Sequence, residues 1–174
     1  MLKIPALLQS SPKFRQILLF GLLLILLLLI VPWLYLQSNQ EHVLHRQGAQ
    51  ALQEGRHQEA VQFLQASRQA GKDTIRLLEK LAEACLALEE FEQAKDIFTE
   101  LSRRKPEDKQ LQLQLAKVKA LSGTEDQALQ LLDSLLAQKP GWRTARIYKA
   151  RILTWNDRFQ EAIDIYYQIL KEPE

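Results

Sequence analysis

Residues 116–140 read AKVKALSGTEDQALQLLDSLLAQKP, and this stretch decides the fold. Ala116 is a small residue, Ala128 is a second one twelve positions later, and Leu132 follows four beyond that. Ser122 and Gly123 stand between the two small residues, and Pro140 closes the stretch. The same slots recur in one register. Gly48, Ala82, Ala116 and Ala150 lie 34 residues apart each time, as do Ala60, Ala94, Ala128 and Ala162. The slot four beyond the second series carries Leu64, Phe98, Leu132 and Tyr166, and the next slot of that face carries Ser67, Leu101, Leu135 and Ile169. Three of the four copies are therefore apolar at i, i+4 and i+7, as an amphipathic helix requires. A period of this length marks a helical repeat array.

Each repeat is expected to hold two helices. Glu54 and Gly55, Glu89 and Glu90, Ser122 and Gly123, and Asn156 and Asp157 fall where a tight corner between them belongs. Pro106 and Pro140 end the second and third copies at one slot, since proline cannot continue a helix. Where two helices of a hairpin cross closely, a side chain larger than alanine would push the backbones apart, so the small slots set the packing distance. Period, small slots, Leu or aromatic and closing Pro together resemble the tetratricopeptide repeat (TPR) over residues 41–174. That resemblance implies an all-α fold, a TPR α-solenoid of four helix-turn-helix repeats over about 41–74, 75–108, 109–142 and 143–174. It also implies protein binding in general, with no particular partner. The first copy departs most, with Ser67 in a usually apolar slot and Lys72 where proline is expected.

Ahead of the array, Ile17 to Leu36 hold no charge over 20 residues. As a helix this run would span roughly 30 Å, the thickness of a bilayer core. It predicts a single transmembrane signal anchor over 17–36, because the run exceeds a usual signal-peptide core and no small-residue cleavage site follows it. Trp33 and Tyr35 fit the aromatic belt of the far interface. Residues 1–16 form a short basic tail with Lys3, Lys13 and Arg15 and no acid, and residues 37–40 (Gln37, Ser38, Asn39, Gln40) read as a short polar linker. After the span Arg46 is offset by Glu41 and Glu54. The positive-inside rule then places the tail in the cytoplasm and the repeats outside it, which for a bacterial inner membrane means the periplasm. The alternative is a TPR domain facing the cytoplasm.

Catalytic chemistry has no residues to rest on. No glycine-rich phosphate loop follows a strand, and no Ser, His and acid set sits on separate elements. His42 and His45 are one helical turn apart, but two ligands make a poor zinc site, so no metal and no cofactor is expected. Cys85 is the only cysteine, on the apolar side of its helix, and reads as a small core residue. The whole chain carries a formal charge of +2, which excludes little.

Binding chemistry has more to rest on. The first helix of the third repeat carries Lys109, Lys117 and Lys119, and that of the fourth Arg143, Arg146, Lys149 and Arg151, with no acid on either. In the TPR family the first helix of each pair lines a concave groove. The slots that resemblance assigns to it are Gln110, Leu113, Gln114, Lys117, Ala120 and Leu121, then Thr144, Ile147, Tyr148, Arg151, Thr154 and Trp155. Lys117, Tyr148, Arg151 and Trp155 would suit an acidic peptide with an apolar or aromatic anchor. The chaperone-tail clamp of some family members is absent, since its slots here read His45, Ala49, Lys80, Gln110 and Gln114.

The last helix carries Ile163, Ile165, Tyr166, Tyr167, Ile169 and Leu170, more apolar positions than its own hairpin needs. With no further capping helix before Glu174, Tyr167 and Leu170 are expected to meet a second copy or a partner. The function implied is a membrane-tethered scaffold that recruits proteins of an envelope assembly. The fourth repeat resembles those of bacterial envelope proteins, exopolysaccharide export among them. A binder of an acidic polymer is the alternative, disfavoured because Tyr148 and Trp155 form no stacking series, so no nucleic acid is expected. A reporter fused after Glu174 tests the orientation. Alkaline phosphatase activity there agrees with repeats outside the cytoplasm, and a reporter that works only inside overturns it.

Overall fold

A computed structural model describes residues 12–172. Lys3 and the chain end at Pro173 and Glu174 lie outside the described residues, as do the side chains of Lys13, Arg15, Trp33 and Tyr35. The described residues form helices joined by short turns: α1 (Pro12–Gln53), α2 (His57–Gln69), α3 (Ile75–Ala87), α4 (Phe91–Arg104), α5 (Lys109–Leu121), α6 (Glu125–Gln138), α7 (Arg143–Trp155) and α8 (Phe159–Lys171). They pair as α1 with α2, α3 with α4, α5 with α6 and α7 with α8, and each pair stacks on the next as a TPR-like solenoid.

Every small slot is at a helix crossing. Ala82, Ala116, Ala150, Ala60, Ala94 and Ala128 have no exposed surface, and Ala162 almost none. Gly48 is the tightest of them. A Cβ added there would lie 2.7 Å from Leu64 Cγ and 3.2 Å from the Leu64 backbone nitrogen, so the first hairpin has closed onto glycine where the others accept alanine. Large apolar side chains fill the spaces between the crossings. Leu64, Leu77, Leu78 and Leu101 centre a core over the first two hairpins, and Leu113, Leu132, Leu135, Ile152 and Leu153 one over the last two. Leu131 packs against both, which joins them along the solenoid.

The corners inside the hairpins share one geometry. Gly55, Glu89, Gly123 and Asp157, again one period apart, all have positive φ, between 57° and 76°. In each, the next residue's N–H donates back five residues, as from Arg56 to Ala51 (2.8 Å) and from Thr124 to Lys119 (2.9 Å). This left-handed closure satisfies carbonyls that a helix end leaves free, and it suits glycine best.

The two departures of the first repeat have physical causes. Ser67 is fully buried, and its Oγ donates to the Glu41 carbonyl at 2.7 Å, pinning α2 to α1 where the other copies use an apolar contact. Lys72 keeps a backbone N–H that donates to the Ser67 carbonyl at 3.1 Å, a bond proline could not make.

Near the start, α1 runs from Pro12 to Gln53, so the residues read as a polar linker, 37–40, and the last residues of the basic tail are helical. Gln37 to Gln40 carry neither glycine nor proline, so nothing there interrupts the backbone ladder. Among the described residues no helix is long and apolar enough to cross a membrane. The described apolar side chains run only from Leu19 to Val31, all exposed, so the span expected over 17–36 rests on the sequence.

Ala128→Leu should cost about 1–3 kcal/mol by overpacking its crossing, and Gly48→Ala should also destabilise although alanine fills the same slot elsewhere. Gln130→Leu, on the exposed face of α6, should change the melting temperature little. Thermal melts giving the reverse order would show that the crossings do not set the packing.

Candidate binding groove

In the helix A series, α1 beyond residue 41 with α3, α5 and α7, α1 meets α3 and α5 meets α7 directly. Two helix starts on this series, those of α3 and α5, are fixed by side chains. Thr74 Oγ1 accepts from the Leu77 N–H, and Asp108 Oδ1 accepts from the N–H groups of Gln110 and Leu111. Such caps satisfy amide donors that the first turn leaves free.

The structure brings Lys117, Tyr148, Arg151 and Trp155 together. Lys117 Nζ reaches over from α5 to lie 5.8 Å from the centre of the Tyr148 ring. Arg151 Cζ lies 5.7 Å from the Tyr148 ring and 5.6 Å from the Trp155 ring. Cation and ring alternate, each pair within the range of attraction between a charge and an aromatic face. Tyr148 and Lys117 are half-buried, while Arg151 and Trp155 are exposed. Neither cation has a carboxylate partner among the described residues, so both keep charge available to a ligand.

Other positives of the expected stripe are engaged elsewhere. Lys149 Nζ pairs with Asp133 on α6 at 2.6 Å, Arg146 pairs with Glu172, and Lys119 donates to Gln127 at 2.7 Å. Their partners sit on α6 or just past the end of α8, out of sight when helix A is read alone. Leu113 and Ala120 also leave the groove, since both are buried in the core. In the first half of the solenoid, Arg76, Glu79, Lys80 and Glu83 line a shallow depression of about 390 Å³ on α3. This mixed-charge segment was not expected from the sequence, and its signal is the polar i, i+3, i+4, i+7 spacing along α3.

Near this end His42 is held between Glu41 (3.2 Å) and the Lys72 ammonium (3.1 Å). His45 is partly buried, and its pKa is lowered first by desolvation and then by Lys72, Lys80, Arg76 and His42. Among the described residues no cluster of three or more His, Cys, Asp or Glu could hold a metal ion. Cys85 is fully buried, and burial pushes its thiol up to about 11.

On α8, Tyr167 and Leu170 are exposed as expected, at 59% and 77%, and Phe159 and Ile163 extend them into one strip along the helix. Ile163 explains the strip. In the first and third repeats the same slot holds Val61 and Leu129, both buried under the next hairpin, whereas Ile163 is 56% exposed. Lys171 Nζ covers part of the Tyr167 ring at 4.2 Å.

Comparison with protein-family models matches residues 37–171 to N-terminal acetyltransferase A, auxiliary subunit. The chain belongs to this family. Comparison with curated protein sequences gives no match. Among solved structures the fold is similar to MamA (MSR-1), with a TM-score of 0.65, 14% identity and 75% of each chain covered. It is also similar to YrrB, described as a TPR protein with an unusual peptide-binding site, with a TM-score of 0.63, 18% identity, and 71% of this chain and 63% of that one covered. A putative kinesin light chain of Podosopora anserina with TPR-like repeats gives a TM-score of 0.65 at 18% identity, over 74% of this chain and 72% of that one. At such identities the likeness is one of fold: an all-helical solenoid of TPR-like repeats.

The lowered pKa of His45 gives a pH prediction with a definite sign. The fold favours the neutral ring, so this contribution to stability is full above the unfolded value of 6.5 and is lost as pH falls through the folded value. Stability measured from about pH 7 down to about pH 5 should fall, and His45→Gln should flatten that fall. An unchanged slope in the variant would remove His45 as its cause.

Proposed function

We propose that the chain is a non-catalytic, membrane-tethered scaffold that holds a protein partner in the groove formed by α5 and α7. The observation that carries this reading is the alternating set Lys117, Tyr148, Arg151 and Trp155, with cations free of internal partners beside exposed aromatic surface. Such a set recognises a carboxylate next to an apolar or aromatic side chain, the cations steering and orienting it while the rings supply buried area. Membership in a family described by an auxiliary subunit fits a role of holding and positioning.

The tether is the apolar run of α1. Leu19 to Val31 stand exposed, as side chains in contact with lipid would, and the run reaches bilayer thickness when completed over 17–36. Confinement near the membrane raises the effective concentration of partner and client without adding contacts. The array lies outside the cytoplasm on the charge bias of the first residues. The exposed strip of α8 offers a second contact, through which copies or a further partner would associate.

A photo-crosslinker at position 148 in intact membranes should capture a discrete protein. Lys117→Glu with Arg151→Glu should abolish that capture and flatten its salt dependence, whereas Arg103→Glu should leave it. Equal loss from Arg103→Glu would mean diffuse attraction, and capture of polyanion alone with no protein would favour the acidic-polymer reading.

A further inference from the structure

The two edges of the solenoid differ in charge. On one edge lie the turns that join hairpins, in the windows 70–76, 104–110 and 138–144, and these hold seven Lys or Arg (Lys72, Arg76, Arg104, Lys105, Lys109, Lys139, Arg143) against three acids; Arg104 and Lys105 also pair with Glu100 and Glu79 beside them, which leaves Lys139 and Arg143 as the cations of this edge with no acid in their window. On the other lie the corners inside hairpins, in the windows 53–59, 87–93, 121–127 and 155–161, and these hold nine acids against two Arg. Helices alternate in direction, so every joining turn sits at the end of the layer from which α1 arrives. We propose that this basic edge rests on the anionic lipid headgroups around the α1 anchor, with Trp142 at the interface. The proposal rests on reading α1 as a membrane span.

Three observations set the geometry. First, α1 is helical on through Gln37 to Gln40, beyond Pro32, so no loop separates the apolar run from the array. Second, the first joining turn is level with residues 41 and 42, because Ser67 Oγ bonds the Glu41 carbonyl and Lys72 Nζ lies 3.1 Å from His42 Nδ1. That level is about 8–9 Å along the helix from Leu36, close to the depth of one headgroup layer. Third, the next turn is tied beside it, since Arg104 pairs with the Asp73 carboxylate and donates to the Asp73 carbonyl at 3.2 Å.

Charge and aromatic placement then fit a lipid surface. Lys and Arg near an anionic membrane are attracted within about one Debye length, roughly 8 Å at physiological salt. The acidic edge is a helix length away, about 20 Å, and so escapes the repulsion. Trp142 starts α7, is half-buried, and carries Lys139 Nζ at 5.6 Å from its ring, a pairing suited to the interfacial layer where indole and cationic side chains collect.

The test uses the full chain in phosphatidylcholine vesicles with or without phosphatidylglycerol, carrying a fluorophore at Gly141→Cys or at Asp126→Cys and a quencher on the lipid headgroups. Gly141 has no atom within 4 Å of an added Cβ, Asp126 is exposed on the opposite edge, and the native Cys85 is buried away from the label. The label at 141 should be quenched several-fold more than the label at 126 when phosphatidylglycerol is present. The difference should shrink when that lipid is omitted, when salt is raised, or in Lys139→Glu with Arg143→Glu. Equal quenching of both labels in chain that resists alkaline carbonate extraction would overturn the edge proposal and leave the anchor standing. Release of the chain by carbonate would overturn both. Reversal variants that keep the quenching but lose capture of a protein would show that the edge serves a protein and overturn the lipid assignment.

Discussion

The close crossing of two helices at a small residue is the constraint on which the rest of this structure depends. Gly48 against Leu64 is its tightest instance, and the buried alanines at 82, 116 and 150 repeat it with slightly more room. Because backbones approach at these points, the large side chains on either side interdigitate, and each hairpin then offers the next a shaped apolar face. A helix A held in this way can spend its opposite face on recognition. Lys117, Tyr148, Arg151 and Trp155 come together because α5 and α7 are set one period apart by these crossings.

Ser67 has a larger role than its size suggests. Its hydroxyl bonds a carbonyl in the middle of α1, and so fixes the second helix of the array to the helix that also carries the apolar run. The apolar run and the array are thereby joined through one helix. A groove joined in this way has no loop between it and whatever holds α1, which distinguishes it from a domain swinging on a tether.

Much of the fold is legible in the sequence because its determinants are local and periodic. The 34-residue spacing of Gly48 to Ala150 gives the crossings, and Gly55 and Gly123 mark corners whose left-handed backbone favours glycine. Glu89 and Asp157 adopt the same backbone without announcing it, so only their register reveals them. The continuity of α1 through residues 37–40 is less legible, since four polar residues read equally as linker or as helix surface. In the groove, the identity of Lys117 and Arg151 as free cations depends on acids of other helices. Asp133 and Glu172 neutralise Lys149 and Arg146, and nothing in the sequence of α7 names those partners. Ile163 stands among the surplus apolar positions of the last helix in the sequence, but that it is one of the exposed ones is seen only against the buried equivalents Val61 and Leu129.

Continuity between anchor and array is the claim on which the tethered scaffold turns, and amide hydrogen exchange of the full chain in lipid vesicles tests it directly. The account predicts that the amides of residues 37–40 exchange slowly, together with those of the α1 segment that packs on α2, since each is held in one helical ladder. Exchange at the rate of open chain over those four residues, with protection resuming only beyond residue 41, would contradict it.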